Sequence, residues 1–289
     1  MTPARGLAAE FARSRFALAG LALLGLLLLG ALLAPLVAPQ NPYDLAQLDL
    51  LDSRLPPGAR SHLGTIYWLG TDDQGRDMLS AILFGLRTSF GVGVASTLCG
   101  LAIGVSLGLA AAWFGGWVDA LIMRLADLQL SFPSILIALV LLALLGQGID
   151  KIVVALVAVQ WAYYARTARA AAAVERGKDY IEAAIALALP QARIVLRHLL
   201  PNCLPPLLVV ASVQIAAAIA LEATLSFLGL GLPVTEPSLG LLVSNGYTYM
   251  LSGSWWISFL PGLALLLLIG GINIVADRMS DVLNPRLKR

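Results

Sequence analysis

The sequence predicts an all-α integral membrane protein, and two observations support this fold class. Of its 289 residues, 59% are hydrophobic and only 12% are charged, and the mean hydropathy is +0.84. A soluble domain carries about 25% charged residues, so this chain has too few polar side chains to cover a water-facing surface. Several stretches also run for the roughly 20 apolar residues that a helix needs to cross a bilayer.

Six stretches are predicted to span the membrane. The first follows three arginines and resembles a secretory signal, but its apolar core is too long and Pro39 follows the only small-residue cleavage point, Ala38. We therefore expect an uncleaved span. Residues 1–86 would form this span and an external loop, and residues 87–289 a five-helix core. The predicted spans lie at about 16–38, within the charge-free stretch 88–118, and at about 117–145, 152–165, 204–225 and 257–276.

Three local features refine this picture. Residues Ser131 to Pro133 should kink the third span, and Arg124 can pair with Asp127 one helical turn away. Cys99 and Cys203 are expected to be small buried hydrophobes. Small residues recur every four positions in the second span, which would let a neighbouring helix approach closely; they are Ser96, Gly100, Gly104, Gly108 and Ala112.

The basic residues predict the orientation. With six spans both termini lie on one side, and that side holds 13 of the 19 basic residues. By the positive-inside rule it is the cytoplasm. The loops at 39–86 and 229–256 then face outside. The inward-facing basic residues are Arg5, Arg13, Arg15, Arg166, Arg169, Arg176, Lys178, Arg193, Arg197, Arg278, Arg286, Lys288 and Arg289.

A charged segment, residues 166–202, interrupts the apolar chain and contains "EAAIALALPQARIVLRHLLPN". Asp179 and Glu182 have the spacing of a capping box, so a helix is predicted from Asp179 to a stop at Pro190. A second helix is predicted from there to Pro201. The first would bury a stripe of Ile181, Ala184, Ile185 and Ala188. Being slim, it suits a groove on another protein; the alternative is an amphipathic helix on the bilayer surface.

This segment resembles the signature of permease subunits of bacterial ABC importers. The family pattern is Glu-Ala-Ala, three residues, Gly, nine residues, Ile, one residue, Leu-Pro. This chain keeps the spacing, with Ala188 in place of Gly and His198 in place of Ile. The ending "RHLLPN" is similar to the peptide/nickel branch. The stretches "LGTDDQGRDMLS", "LSFLGLGLP" and "DVLNPRL" resemble the C-type subunit of dipeptide and oligopeptide permeases.

The resemblance implies a type I ABC importer permease fold with six transmembrane helices and a cytoplasmic coupling helix, in the bacterial inner membrane. It implies two ATPase subunits, a second permease subunit, giving a heterodimer, and an extracytoplasmic binding protein as partners. The chain has no Walker A motif, so it is not itself the ATPase, and no cofactor or metal is predicted. The implied ATPase-coupling residues are Asp179, Tyr180, Glu182, Ala183, Ala184, Ala188, His198, Leu200 and Pro201.

Two further groups of charged residues have open roles. Asp72, Asp73, Arg76 and Asp77 in the external loop either form a structural turn network or dock the binding protein. Glu222, the acid well inside a span, either lines the translocation path or pairs with Arg87 or a backbone group.

Three rival functions are testable. An ion-coupled secondary transporter would need more polar mid-span groups and an inverted repeat. A membrane enzyme would need a nucleophile with its base, and the two histidines, His62 and His198, are isolated in sequence. A scaffold would leave the motif spacing unexplained. The cargo stays open among dipeptides, longer peptides, glutathione and nickel chelates.

Overall fold

The structure is a computed structural model that describes residues 10–44, 48–233 and 235–283, and it is mostly helical. Arg5, Arg286, Lys288, Arg289 and most of the closing "DVLNPRL" motif lie outside the described residues. A short antiparallel ribbon joins β1 (Ala59–Arg60) to β2 (Ile66–Tyr67). The helices are α1 (Arg15–Val37), α2 (Met78–Phe114), α3 (Gly116–Leu130), α4 (Ser134–Leu145), α5 (Ile149–Arg176), α6 (Asp179–Ala186), α7 (Gln191–Phe227), α8 (Leu239–Tyr247) and α9 (Trp256–Leu283), with 3₁₀ turns at Leu50–Asp52 and Met250–Ser252.

Four of the described helices, α1, α2, α7 and α9, are long and apolar enough to cross a membrane. The pair α3 and α4 is a fifth candidate, bent by 91° at the break between them. The predicted kink at Ser131 to Pro133 is therefore a complete break, because proline removes a backbone donor and clashes with the preceding turn. The Asp127 carbonyl accepts both the Ser131 N–H at 3.0 Å and the Ser131 hydroxyl at 2.7 Å. The Gln129 carbonyl, which loses its partner at Pro133, accepts from the Phe132 N–H at 3.2 Å.

Helix α5 is much longer than the predicted fourth span and packs closely on α2. A Cβ atom added at Gly104 would lie 2.4 Å from the Trp161 carbonyl oxygen, and one at Gly108 would lie 2.4 Å from that of Ala165. No side chain fits at those distances, so the two backbones touch. The close approach predicted from the small-residue face is confirmed, and α5 is the helix that makes it.

Helix α7 corrects the prediction of a helix that stops at Pro201. The chain is α-helical over Gln191–Arg193, π-helical over Ile194–Leu199 and α-helical again over Leu200–Phe227, with Pro201 in the first turn of that last part. Proline has no N–H to donate, and the wider π-helical turn before it tolerates the absence of that hydrogen bond. The proline therefore marks a change of helix type within α7 rather than its end.

The predicted outer loop after α7 contains the short helix α8, whose Leu239, Leu241 and Leu242 are buried. Gly240 lies against the backbone of Ala223 in α7, where a Cβ atom would be 2.2 Å from the Ala223 carbonyl oxygen. The cysteine prediction is confirmed for Cys203, which is buried, and wrong for Cys99, which is exposed on α2.

Candidate functional site

Residues 177–190, the α6 segment, join α5 to α7 and hold most of the predicted coupling residues. Helix α6 begins at Asp179 as predicted, but the capping box is not formed. Lys178 occupies the N-cap position and its side chain makes no capping hydrogen bond. The prediction is wrong because Asp179 already has helical backbone, whereas an N-cap residue is extended. Asp179 and Glu182 still lie in the first turn, where negative charge favours the helix dipole.

One face of α6 is anchored to the rest of the chain. Ile181 and Ala184 are buried in an apolar cluster that also contains residues of α2, α5 and α7. The predicted four-residue stripe is only half buried, because Ile185 is 51% exposed and Ala188 is exposed too. Helix α6 therefore sits on the ends of three long helices through two side chains.

The opposite face of α6 is open. Asp179, Glu182 and Ala183 are exposed, and the side chain of Glu182 makes no hydrogen bond to the described residues. Ala183 adds only a methyl group to this surface, so another protein can approach the helix closely. The exposed face has the slim, acidic character expected of a helix that enters a groove.

A hydrogen-bond network fixes α6 relative to its neighbours. Glu175 at the end of α5 accepts from Lys178 Nζ at 2.5 Å and from the Tyr180 hydroxyl at 2.8 Å. Asn202 of α7 donates to the same Tyr180 hydroxyl at 3.2 Å. Partial burial and the Glu175 carboxylate raise the pKa of Tyr180 to about 12, so the phenol stays protonated and keeps donating. Tyr180 therefore joins α5, α6 and α7.

Ala188 has a backbone conformation that non-glycine residues rarely adopt. Its φ angle is +51°, in the left-handed region that costs a side chain with a Cβ roughly 1–2 kcal/mol. Here the chain turns out of α6, and the Leu189 N–H donates to the Ala184 carbonyl at 3.3 Å. The helix thus ends at Ala186, before Pro190, which corrects the predicted stop. The position where the family pattern has glycine is the one that needs glycine's freedom.

The remaining predicted coupling residues lie in the first half of α7. His198 is partly buried in the π-helical turn, and its carbonyl accepts from Asn202 Nδ2 at 2.7 Å. Leu200 is partly buried, and Pro201 is exposed. The structure therefore brings the predicted set together at one end of the molecule, with α6 outermost and this part of α7 as its support.

The first loop, residues 38–77, has buried charges. Arg76 Nε donates to Asp72 Oδ2 at 2.6 Å, and both side chains are 1% exposed. Asp72 Oδ1 also accepts the backbone N–H groups of Gln74 at 2.8 Å and Arg76 at 2.9 Å. The aspartate thus closes a tight turn and neutralises the arginine within it.

The other two predicted residues of the first loop differ in exposure. Asp77 is buried and caps α2, accepting from the Ser80 N–H at 2.8 Å and the Ser80 hydroxyl at 2.6 Å. Asp73 is partly exposed; burial and the neighbouring Asp72 raise its pKa. Three of the four charged residues are thus held inside a turn network, and Asp73 is the one a partner can reach directly.

A second buried carboxylate, Asp52, organises the same loop, and the sequence analysis did not single it out. Its Oδ2 accepts from the Tyr67 hydroxyl at 3.0 Å and its Oδ1 contacts His62 Nδ1 at 3.1 Å. Burial opposes ionisation, but hydrogen bonds from Ser61, His62 and Tyr67 prevail and lower the pKa of Asp52. Burial and the Asp52 carboxylate raise the pKa of Tyr67 to about 12. His62 is thus not isolated in space.

Glu222 is fully buried between α2, α7 and α8. Its two carboxyl oxygens accept from the Ser89 and Ser226 hydroxyls, each at 2.8 Å. The expected pairing with Arg87 is not observed, because Arg87 is exposed. In this conformation the carboxyl group joins neighbouring helices through hydroxyl groups.

Two ion pairs join α3 to α5, and the sequence analysis missed both. Arg169 donates to both carboxylate oxygens of Asp119, at 3.1 and 2.7 Å, and Arg166 Nη2 donates to Asp127 at 2.5 Å. The predicted pair of Arg124 with Asp127 is wrong, because Asp127 bonds to α5 instead. The pairs line a cavity of about 730 Å³. The paired residues are 39 and 50 positions apart in the sequence, so the spacing of neighbouring residues could not predict either pair.

Comparison with known proteins identifies the family. Residues 100–289 match the family described as binding-protein-dependent transport system inner membrane component. Residues 2–57 match the N-terminal TM domain of oligopeptide transport permease C. The first match alone covers more than half of the chain.

Individual relatives agree with this family. The chain is 36% identical over 257 residues to the dipeptide transport system permease protein DppC of Haemophilus influenzae, covering 89% of this chain and 86% of that protein. It is 37% identical over 255 residues to the di/tripeptide transport system permease protein DppC of Pseudomonas aeruginosa, covering 88% and 83%.

A solved structure, the MetNI methionine ABC transporter in an inward-facing conformation, has a chain with the same fold. The TM-score is 0.56 at 21% identity, covering 72% of this chain and 98% of that one. The fold is thus that of a type I ABC importer permease. Permease subunits of this family do not hydrolyse ATP, which their ATPase partners do. The chain belongs to the family of inner-membrane permease components of binding-protein-dependent ABC importers.

Proposed function

We propose that this chain conducts di- and oligopeptides into the bacterial cytoplasm, and that α6 is the coupling helix through which ATP drives it. The relatives described above are named for dipeptide and di/tripeptide transport. The observation that carries the coupling role is the geometry of α6, with one face anchored through Ile181 and Ala184 and the other exposed at Glu182 and Ala183.

The membrane topology that we propose has six spans with both termini in the cytoplasm. Helix α5 supplies the sixth span beside the four apolar helices and the bent pair. Its 28 residues extend about 42 Å at 1.5 Å per residue, and its backbone contact with α2 supports this role. The arginines at its α6 end agree with a cytoplasmic location for that end.

The proposed mechanism transmits a movement without local unfolding. Two partner ATPases close when they bind ATP, and a groove on one of them carries α6 with it. The buried anchor and the Tyr180 network pass this displacement to α2, α5 and α7 as a rigid lever. ATP and the loaded binding protein must favour the same state of the paired permeases for transport to be driven.

The partners follow from the family. They are a second permease subunit, two cytoplasmic ATPases and an extracytoplasmic binding protein that delivers the peptide. In this scheme Asp73 is the one of the four candidate charged residues of the first loop that is partly exposed and can touch the binding protein. The ion-coupled alternative gains no support, because the family is driven by ATP.

The test separates coupling from folding. In the reconstituted importer, Glu182→Ala and Ala183→Leu should lower peptide uptake per ATP hydrolysed by about tenfold. A change of this size corresponds to a typical coupling free energy between two sites. Ala173→Leu is the matched control, because Ala173 is an exposed alanine of α5 outside α6. Membrane insertion and subunit assembly should be unchanged in all three variants. A normal ratio of uptake to hydrolysis in both α6 variants would rule out the coupling role.

A further inference from the structure

A cavity of about 390 Å³ lies between the start of α4, the middle of α5 and the C-terminal third of α7. This volume is within the usual range for small-molecule sites, about 300–1,000 Å³. None of the described residues that line it is charged. They are Ser134, Ile135, Val159, Gln160, Tyr163, Gln214, Ala217, Ala220, Leu221 and Thr224.

The cavity lies near the middle of the membrane in the six-span topology. Gln160 is eleven residues from the first residue of α5, about 16 Å along the helix at 1.5 Å per residue. Gln214 is thirteen residues from the last residue of α7, about 20 Å by the same rise. The two amide side chains therefore face the cavity at similar depth, far from either surface.

Hydrogen-bonding groups remain available in the cavity. Gln160 is only 3% exposed, and its Oε1 already accepts from the Thr97 hydroxyl at 3.4 Å and the Tyr164 hydroxyl at 3.5 Å. Its amide nitrogen makes no hydrogen bond with the described residues and is the group left for the cavity. The side chains of Gln214 and Tyr163 likewise form none within the described part of the chain.

Such groups are costly at this depth unless they meet a partner. Neutral polar side chains within membrane spans commonly hydrogen-bond to neighbouring helices. Within the described part of the chain the side chains of Gln214 and Tyr163 and the Gln160 amide nitrogen do not, so they remain available to water or a solute. The break between α3 and α4 lies at the edge of this cavity, since Ser134 begins α4 and lines it. Irregular backbone at membrane depth is tolerated where it is buried in protein or lines such a cavity.

We infer that this cavity is a transmembrane solute site that takes the uncharged main-chain amide of a peptide in transit. The inference rests on the proposed function. Amide and phenol groups offer donors and acceptors to a peptide bond, which every peptide carries. The small side chains of Ala217 and Ala220 leave room for varied solute side chains. With no charge in its lining, the cavity has no counter-ion for peptide termini.

The experiment uses the complete importer in proteoliposomes, with dialanine and N-methylated dialanine as solutes. The methyl group removes the N–H donor of the peptide bond. Each solute is supplied at saturating binding protein, whose affinity for both is measured separately. Wild-type importer should move dialanine about three- to tenfold faster than the methylated form, the difference expected for one hydrogen bond.

Gln160→Met and Gln214→Met keep side-chain volume but remove the amide groups. Each should slow dialanine uptake by about three- to tenfold, and the double variant should lose the discrimination between the two solutes. Ala220→Leu, which fills the cavity without removing a polar group, should slow both solutes. Gln147→Met is the control, because Gln147 is an exposed glutamine outside the cavity.

The outcomes separate the two proposals. If wild-type importer moves neither dialanine nor other peptides, the proposed function and this inference both fail. If it moves peptides while the double variant discriminates as well as wild type, only the cavity assignment fails. Unchanged uptake by Ala220→Leu would overturn the assignment too. Size-exclusion chromatography of each variant with its partner subunits checks that slower uptake does not come from misassembly.

Discussion

The first loop and the α6 segment are both rich in charged residues, but they use charge in opposite ways. In the first loop, Asp52, Asp72, Arg76 and Asp77 are at most 3% exposed, and each carboxylate has hydrogen-bond partners within the loop or the start of α2. In the α6 segment, Asp179 and Glu182 are exposed, while the apolar side chains of Ile181 and Ala184 make the anchor. The same residue types thus build a fixed structure in one region and an open surface in the other.

The difference teaches how to separate structural from interacting charge. A buried carboxylate that closes a turn has its hydrogen-bond partners within its own chain, so its removal should lower the free energy of unfolding. An exposed carboxylate on an anchored helix makes few interactions with its own chain, so its removal should weaken binding to a partner rather than folding. Three changes in the free subunit have decreasing expected effects. Two of them remove a buried charge of the first loop, and the third relieves the backbone of the α6 segment.

The largest effect is expected from Arg76→Ala, which leaves Asp72 buried without its counter-charge. Breaking one side of a buried pair costs about 3–5 kcal/mol. Chemical unfolding of the purified subunit in detergent micelles measures the loss. Arg193→Ala, which removes an exposed arginine, should change the free energy of unfolding by no more than about 0.5 kcal/mol. Equal losses in the two variants would contradict the contrast between the regions.

A smaller effect is expected from Asp52→Asn, together with a change in pH dependence. Near pH 7 the variant should lose about 1–3 kcal/mol of local stability, because an amide cannot satisfy the same donors. The folded-state pKa of Asp52 is lowered, so its ionised form stabilises the loop above about pH 4 and this contribution disappears as pH falls through the lower folded value. Asp73, with its raised pKa, contributes with the opposite sign.

Hydrogen exchange of the β1 and β2 amides across acidic pH measures how the local stability that Asp52 contributes changes with pH. Subtracting the Asp52→Asn profile from that of wild type isolates Asp52, because both proteins keep Asp73. The difference should shrink as pH falls below about 4, where the Asp52 carboxylate becomes protonated. A difference that does not change with pH would show that the Asp52 carboxylate is not the stabilising group.

The smallest effect is expected from Ala188→Gly in the α6 segment. Relief of the left-handed conformation at Ala188 favours the variant by about 1–2 kcal/mol, and the extra freedom of glycine in the unfolded chain offsets about 0.4–1 kcal/mol of it. The net gain is between about zero and 1.6 kcal/mol, measured by the same unfolding experiment. Ala183→Gly, at an exposed position in the middle of α6, should instead destabilise by about 1 kcal/mol. A loss of stability in Ala188→Gly would show that the turn is not strained.

Much of the fold could be predicted because hydrophobicity and small-residue spacing are local signals. The apolar spans, the close face of α2 and the break near Pro133 are all encoded in short stretches of sequence. Pro201 misled the prediction, because a proline normally ends a helix and only the surrounding chain shows that a π-helical turn absorbs it. The capping box failed for a similar reason, since spacing does not reveal which residue is extended.

The sequence predicted where the candidate site lies but not the contacts within it. The signature spacing selected the proposed coupling residues, and the structure groups those residues at one end of the molecule. It did not foresee that Ala188 is left-handed, that Asp119 and Asp127 bond to α5, or that Asp52 holds the first loop. The two ion pairs join residues 39 and 50 positions apart, and the Asp52 contacts join residues 10 and 15 positions apart across a loop; a single sequence shows no pattern at those ranges. The backbone of Ala188 is a local feature, and the glycine of the family pattern was its only signal.

The contact between α2 and α5 has a consequence for how the subunit can move. Where carbonyl oxygens of one helix touch the glycines of the other, any sliding would drive side chains into backbone, so the two helices cannot shear past each other. Close-packed interfaces of this kind switch as units rather than deform. Helices α2 and α5 should therefore rotate together as one rigid body. The hinges should lie at the ends of this pair, such as the glycine turn at Gly115 and Gly116.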